Sequence, residues 1–412
     1  MSMFFRLAWR NIWRNPKRTL IILAAIVIGV WCMIFMAALT RGSAESMVQN
    51  NIATLTGEIQ IHAQGYRNDP VIENSMHDPE GLQAVLDKIL PPGSRSSARV
   101  RVGGVASNAR HSTGVTIVGV DPESEAAVSF MGKAPLEGSF LGREDGRGIV
   151  IGHALLEKFE TRLGNKIVLM SQAENGEIAS RSFKIVGVYR AELEATEKAY
   201  VFIPRGSAQE MLGMGSALSE VSIVLPDRSR VDMVTESLRQ ALSGSPNQHY
   251  EVLTWVQILK MLTSYLEMFD SFMLVWYIVV FMAMGFGIVN TTLMAVLERV
   301  REFGLLKALG MRPISIVKQV MAESLFLLAM GTILGTLLAA ASCWALSRNG
   351  INLSAMAEGS EYLGMSKIIY PLLLAKDIIM ANGVVFFLGL LVSAYPAIKA
   401  ARFTPVEALA HT

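Results

Sequence analysis

Four stretches of this sequence, residues 19–40, 271–297, 324–347 and 378–398, contain no Asp, Glu, Lys or Arg at all. Each is long enough to cross about 30 Å of hydrocarbon, which takes ~20 helical residues. A helix that is apolar all round has no face to offer water, so these four stretches predict membrane spans. The composition agrees: 51% of residues are hydrophobic and only 17% are charged, richer in apolar and poorer in charged residues than a soluble domain. Between the first and second stretches lie more than two hundred residues of ordinary soluble composition, which predicts a folded domain inserted between spans.

Lys and Arg in short flanking segments are retained on the cytoplasmic side of a membrane. Arg6, Arg10, Arg14, Lys17 and Arg18 precede the first stretch. Arg299, Arg301, Lys307, Arg312 and Lys318 separate the second from the third, and Lys399 and Arg402 follow the fourth. Both termini and the 297–313 connection are therefore expected in the cytoplasm, with the inserted domain on the other side. The net charge is only +2, and no basic patch with interleaved aromatics occurs outside the membrane edges. Nucleic acid is not an expected partner. The first apolar run is too long for a signal-peptide core and no small-x-small site closes it, which favours an uncleaved anchor. Cys32 and Cys343 both fall inside apolar stretches and provide no disulfide framework.

At the N-terminus, Phe5, Trp9 and Trp13 recur every four residues with Arg6, Arg10 and Arg14 on the adjacent stripe, the pattern of a helix lying in the headgroup layer. Asn15 and Pro16 then suit the cap and first residue of a new helix. In the inserted domain, residues 57–63, 113–120, 148–152, 166–171, 182–189, 199–204 and 220–226 read as short strands. Residues 81–90, 152–164, 206–213 and 230–242 read as helices, and the mixed order predicts an α+β domain of one or two subdomains. Residues 250–269 are expected to form one amphipathic helix running into the second span.

The connection between the second and third spans, LERVREFGLLKALGMRP, holds six charged residues in residues 297–313. On one straight helix, Glu298, Arg299, Arg301 and Glu302 would share a face with Leu305, Leu306 and Leu309. A break at or near Gly304 resolves the conflict, giving a charged extension of the second span and a short leucine-bearing helix, closed by Gly310 and followed by Pro313. At the C-terminus, Thr404, Pro405 and Glu407 fit the start of a short final helix. The divisions expected are thus an interfacial helix over 1–15, spans over 16–41, 266–303, 313–347 and 377–399, the inserted domain over 42–265, a cytoplasmic helix over 304–312, an extracytoplasmic loop over 348–376 and a tail helix over 400–412.

No G-x-x-x-x-G-K-[ST] phosphate loop, H-E-x-x-H zinc motif or G-x-S-x-G nucleophile elbow occurs. His62, His77, His111, His153, His249 and His411 form no close pairs, so neither a catalytic nor a metal site is expected on this chain. The apolar stretches hold no ionisable side chain to relay ions or protons.

The segments LAWRNIWRNPKRTL (7–20), GIVNTTLMAVLERVREFGLLKALGM (287–311) and YPAIKAARFTPVEAL (395–409) resemble the permeases of the FtsX/MacB superfamily of ABC transporters. The resemblance covers nearly the whole chain. It implies four transmembrane helices with a large extracytoplasmic α+β domain between the first two, and a permease that dimerises with a second copy or a paralogue. It also implies a separate ATPase dimer that binds the ATP and Mg2+, leaving no cofactor on this chain. The short helix would be the coupling helix, with Leu305, Leu306, Leu309 and Met311 seated in the ATPase and Glu298, Arg299, Arg301 and Glu302 making polar contacts around them. Such permeases act by mechanotransmission.

The strand GEIQIH and the short N-terminal arm look most like the lipoprotein-releasing LolC/LolE group. That likeness implies extraction of lipoproteins or other lipid-anchored substrates from the inner membrane, with Met33, Met36, Phe272 and Trp276 contacting acyl chains and a periplasmic carrier or adaptor receiving them. Export of the MacB kind, and FtsX-like signalling to a cell-wall hydrolase, are the alternatives.

Overall fold

The structure is a computed structural model that describes residues 3–142, 146–244, 249–352, 366 and 368–403, with side chains from residue 8 onward. It divides into two compact units. One holds Met1–Ala44, Tyr265–Leu353 and Ile368–Thr412, and the other Glu45–Ser264 with Ser354–Lys367. Four helices are long and apolar enough to cross a membrane, with the first, Pro16–Asn51, running on through a π-helical turn at Ile52–Thr56. The others are Lys260–Glu298, Pro313–Asn349 and Ala375–Arg402. Pro16 and Pro313 open their helices, where a missing N–H costs nothing. At 1.5 Å per residue Pro16–Asn51 is about 54 Å long, well beyond the hydrocarbon thickness.

In the helical unit the four helices meet around Ile26, Val30, Met33, Tyr277, Phe281, Met284, Leu328 and Val385. Apolar side chains gain little by leaving lipid for one another, so close backbone approach must contribute. Gly331 and Gly335, four apart on the third long helix, provide it: an added Cβ would lie 2.3 Å from Ile26 Cγ2 at Gly331 and 2.7 Å from Val30 Cβ at Gly335. Gly335→Leu is therefore expected to force the first and third helices apart and cut the yield of folded protein several-fold. Gly383→Ala, a site with nothing within 4 Å, should leave the yield unchanged. Size-exclusion profiles of the two variants in detergent check this.

Polar pairs add direction. Asn382 Nδ2 donates to Thr336 Oγ1 at 2.9 Å, and Trp31 Nε1 to Ser342 Oγ at 3.1 Å. Just beyond the charge-free stretches, Arg41 pairs with Asp270 at 2.7 Å and with the buried Asp377 at 3.3 Å, joining the first, second and fourth helices.

The other unit is α+β. Its strands are β1 (Ile59–Ala63), β2 (Arg95–Ser107), β3 (Ser112–Val120), β4 (Leu136–Gly138), β5 (Gly148–Gly152), β6 (Lys166–Gln172), β7 (Ile178–Tyr189), β8 (Tyr200–Pro204), β9 (Glu220–Val224) and β10 (Tyr250–Thr254). β2, β3, β8, β5, β7 and β6 each pair with the next, and β6 pairs back with β2, closing a six-stranded ring. Ile117, Ile149, Ile151, Leu169, Phe183, Val201 and Ile203 fill it. The first part of β2 instead pairs with β9, and β9, β1 and β10 complete an antiparallel sheet. Helices Pro79–Ile89 and Val231–Leu242 bury Leu82, Leu86, Val234 and Leu238 in the core of that second subdomain. All seven expected strands are present, and β2, which sequence reading passed over, is the one shared by both subdomains.

Two expectations change, and a third is untested. Residues 250–269 are not one helix: β10 pairs with β1, Trp255–Ile258 forms a single turn capped by Thr254 and Gln257, and the chain breaks at Leu259 before Lys260. Burial of Val252 and Thr254 at alternate positions shows why the strand prevails. The expected helix over 152–164 stops at Lys158, close to Glu160, which has the left-handed φ of 46°. The expected tail helix at 404–407 lies outside the described residues.

Candidate functional site: the hook between the second and third long helices

The second long helix ends at Glu298, where Arg299 leaves helical geometry at φ −106° and ψ 11°, and a nine-residue helix, Val300–Ala308, follows. The break thus falls at Arg299 and not at Gly304, which is buried within the short helix. Starting the helix at Val300 puts Val300, Phe303 and Gly304 on one inward stripe and Leu305 and Leu309 on the outer side, so the sequence conflict disappears without a kink at the glycine. Gly310 then turns the chain at φ 92°, and Pro313 begins the third long helix.

Leu305 is 55% exposed and Leu309 77% exposed, one turn apart. Leu306 and Met311 point the other way and pack with Val296, Phe303, Ile316, Val320, Ala397 and Ala400. Of the four apolar residues expected to be seated in a partner, two are exposed and two anchor the hook.

Most of the surrounding charges are also engaged within the chain. Arg18 pairs with Glu298, and Arg14 with Glu302. Arg299 reaches Glu302 at 3.1 Å and Glu323 at 3.0 Å, and Asn11 donates to Glu323 at 2.7 Å. Hydrogen bonding from Arg14 holds the Glu302 carboxyl below the ordinary carboxylate range. Arg301 is exposed on the short helix. Lys307 Nζ donates to the carbonyls of Ala401 at 2.6 Å and Phe403 at 2.7 Å, satisfying acceptors at the end of the fourth helix. The hook is thus fixed to the N-terminal arm on one side and to the fourth helix on the other, with two leucines free for contact.

The four residues expected to meet acyl chains are not equivalent. Met33 is fully buried in the helical core, so it is not placed to contact a substrate. Met36 and Trp276 are partly buried against that core, and the indole N–H of Trp276 has no partner among the described residues. Phe272 is 52% exposed.

A second constellation, missed in the sequence, lies where the outer unit's two subdomains share β2. Arg99, fully buried, donates from Nε and Nη2 to Glu125 at 2.7 and 2.9 Å and from Nη1 to Glu220 at 3.1 Å and to the carbonyl of Leu55. Leu55 belongs to the π-helical turn, and Gly57 at φ 67° follows it where a Cβ would fall 2.2 Å from Ser222 Oγ. The signal was present in ARVRV, where Arg99 and Arg101 alternate with valines and so share a face with β-period spacing. Burial pushes the Glu220 carboxyl up, and Arg101 and Arg99 more than offset that and hold it below the usual range.

Burial also lowers the pKa of His62, against Glu220 and Glu251, which raise it, and with Arg101, which lowers it. The folded domain therefore binds this proton less readily than the unfolded chain. Its contribution to stability is full above the ordinary value of 6.5 and falls as pH drops below it. Exchange protection of β1 and β9, corrected for the intrinsic exchange rate, is expected to fall as pH drops below 6.5, and His62→Gln should flatten that dependence. No group of three or more His, Cys, Asp or Glu suited to a metal occurs among the described residues.

The chain thus combines four helices long and apolar enough to cross a membrane with an inserted two-subdomain α+β unit and a short helical hook between the second and third. The family profile described as "MacB-like periplasmic core domain" matches residues 19–241, and that described as "FtsX-like permease C-terminal" matches residues 273–405. The chain belongs to the FtsX/MacB superfamily of ABC transporter permeases. The macrolide export ATP-binding/permease protein MacB of Bdellovibrio bacteriovorus is 23% identical over 96% of this chain and 59% of its own length. The pyoverdine export ATP-binding/permease protein PvdT of Pseudomonas syringae pv. tomato is 26% identical over 98% of this chain and 58% of its own. The chain thus spans under two thirds of the length of these relatives. The crystal structure of the periplasmic region of MacB from Actinobacillus actinomycetemcomitans, 14% identical, covers 52% of this chain and 97% of its own at a TM-score of 0.36.

Proposed function

We propose that this chain is a non-catalytic permease subunit that lies in the bacterial inner membrane with both termini cytoplasmic and works as a dimer with a separate ABC ATPase. The observation that carries the reading is the hook: a braced short helix presenting Leu305 and Leu309 outward while Leu306, Met311, Arg299, Glu302 and Lys307 hold it to the rest of the helical unit. ATP and Mg2+ belong to the ATPase, whose closure would pull on the hooks. The first long helix includes the boundary between the two units, which supports mechanotransmission to the outer domain.

For substrate, we propose a lipoprotein or other lipid-anchored molecule, with Phe272, Met36 and Trp276 as acyl contacts. The likeness of GEIQIH and the short arm to the LolC/LolE group supports this, as does the exposure of Phe272. A second reading, export of small molecules through an adaptor, is favoured by the export names of MacB and PvdT. Mass spectrometry of what co-purifies from native membranes, with a photo-crosslinker at Leu309, separates them. An ATPase crosslinked to position 309 together with acylated lipoproteins is the expected result. An ATPase with an adaptor would replace extraction by export, and no ATPase at all would remove the coupling role.

A further inference from the structure

The outer unit contains a cavity of about 410 Å3 that neither the hook nor the transport reading uses. That is within the range of small-molecule sites. His62, Tyr66, Arg67, Arg101, Thr116 and Glu220 line it. The two arginines of β2 differ in how far they are satisfied. Arg99 spends its donors on two carboxylates and a carbonyl at full burial, whereas Arg101 reaches Glu220 only at 3.4 Å and the Tyr200 hydroxyl only at 3.5 Å. Both distances are at the outer limit of a hydrogen bond. The Arg101 side chain is also 34% exposed, so part of a guanidinium fork faces open space.

Arg67 brings a second guanidinium to the cavity, held on the carbonyls of Gln257, at 3.2 Å, and Ile258. Among the residues that line the cavity, Arg67 and Arg101 carry two positive charges against the one negative charge of Glu220, with Glu251 acting on His62 from outside the lining. His62 and Tyr66 stack at 5.4 Å to form one wall, and the Tyr66 hydroxyl donates to the Arg101 carbonyl at 2.5 Å. Burial pushes the Tyr66 hydroxyl up to about 12, the mark of a wall that water reaches poorly, where charge interactions are stronger than in bulk solvent.

We propose that this cavity binds an anionic group, a carboxylate or a phosphate, between the guanidinium groups of Arg101 and Arg67. The planar fork of arginine matches both anions, and both arginines reach the cavity with donors already oriented. Val102 and Ile258 provide apolar contact for the rest of the ligand. The assignment stands on the outer unit alone and holds whichever substrate the permease moves.

The test uses the full-length chain in detergent and reads the rate at which phenylglyoxal modifies each arginine by peptide mass spectrometry. Inorganic phosphate, acetate and chloride are compared at equal ionic strength, with the exposed Arg162 as internal reference. Phosphate or acetate is expected to slow modification of Arg101 and Arg67 several-fold while Arg162 is unaffected. Protection by acetate alone identifies a carboxylate ligand and protection by phosphate alone a phosphoryl ligand. Equal rates at Arg101 in all three salts overturn the proposal. Arg67→Gln, an exposed position, should raise the anion concentration needed to protect Arg101 about tenfold, as loss of one charge-assisted hydrogen bond does. Protection unchanged in that variant would rule out the two-arginine site.

Discussion

Replacing Leu305 and Leu309 together with Asp is expected to release the ATPase from the purified chain. Two leucines seated in a partner contribute about 1.5–3 kcal/mol each, so their loss weakens the complex by roughly 10²- to 10⁴-fold before any cost of burying the new carboxylates. The double variant should still insert and purify as a folded protein, because neither side chain packs inward. Leu306→Asp makes the contrast: it places a carboxylate against Phe303, Ile316 and Ala397 and should lower folded yield directly. Pull-down of the ATPase with each variant gives the answer. Full retention by a normally folded Leu305→Asp, Leu309→Asp chain would mean that the hook is only a connection between spans.

Arg99→Ala should have the largest effect on the outer domain. It strands the buried carboxylate of Glu125 and leaves Glu220 with Arg101 alone at 3.4 Å. Breaking a buried pair from one side costs about 3–5 kcal/mol. In a domain of this size that lowers the midpoint of thermal unfolding by roughly 10 °C. Adding Glu125→Gln to an Arg99→Met chain should recover much of the loss, because the uncompensated charge goes with the arginine. A single Arg99→Ala chain with an unchanged midpoint would show that the network contributes nothing net. The expected loss would also free the Leu55 carbonyl, so hydrogen exchange at Ile52–Thr56 should rise in parallel.

The limits of sequence reading follow from where the decisive forces act. In β6 the buried Ile167 and Leu169 alternate with the less buried Val168 and Met170, which fits a strand whichever partner it meets, because a pleated surface needs that period. The 250–269 segment failed because its residues fit either a helix or a strand, and the choice depended on whether β1 had a free edge. Gly304 looked like a break because glycine weakens helices, yet the break moved to Arg299 once Glu302 and Glu323 were close enough to hold that guanidinium. Of the charges around the hook, sequence gave no means of telling partner contacts from internal braces. Arg14 and Arg18 are hundreds of positions from Glu302 and Glu298.

By itself the sequence determined the four spans, the inserted α+β domain and the position of a short hook with leucines, since all three rest on local composition and periodicity. Only the tertiary structure decided which leucines face outward, that Met33 is core, and that Arg99 is buried while Arg101 opens on a cavity. Those outcomes depend on contacts between residues distant in the chain, where neighbouring side chains, and not local preference, determine what is buried and which donors remain.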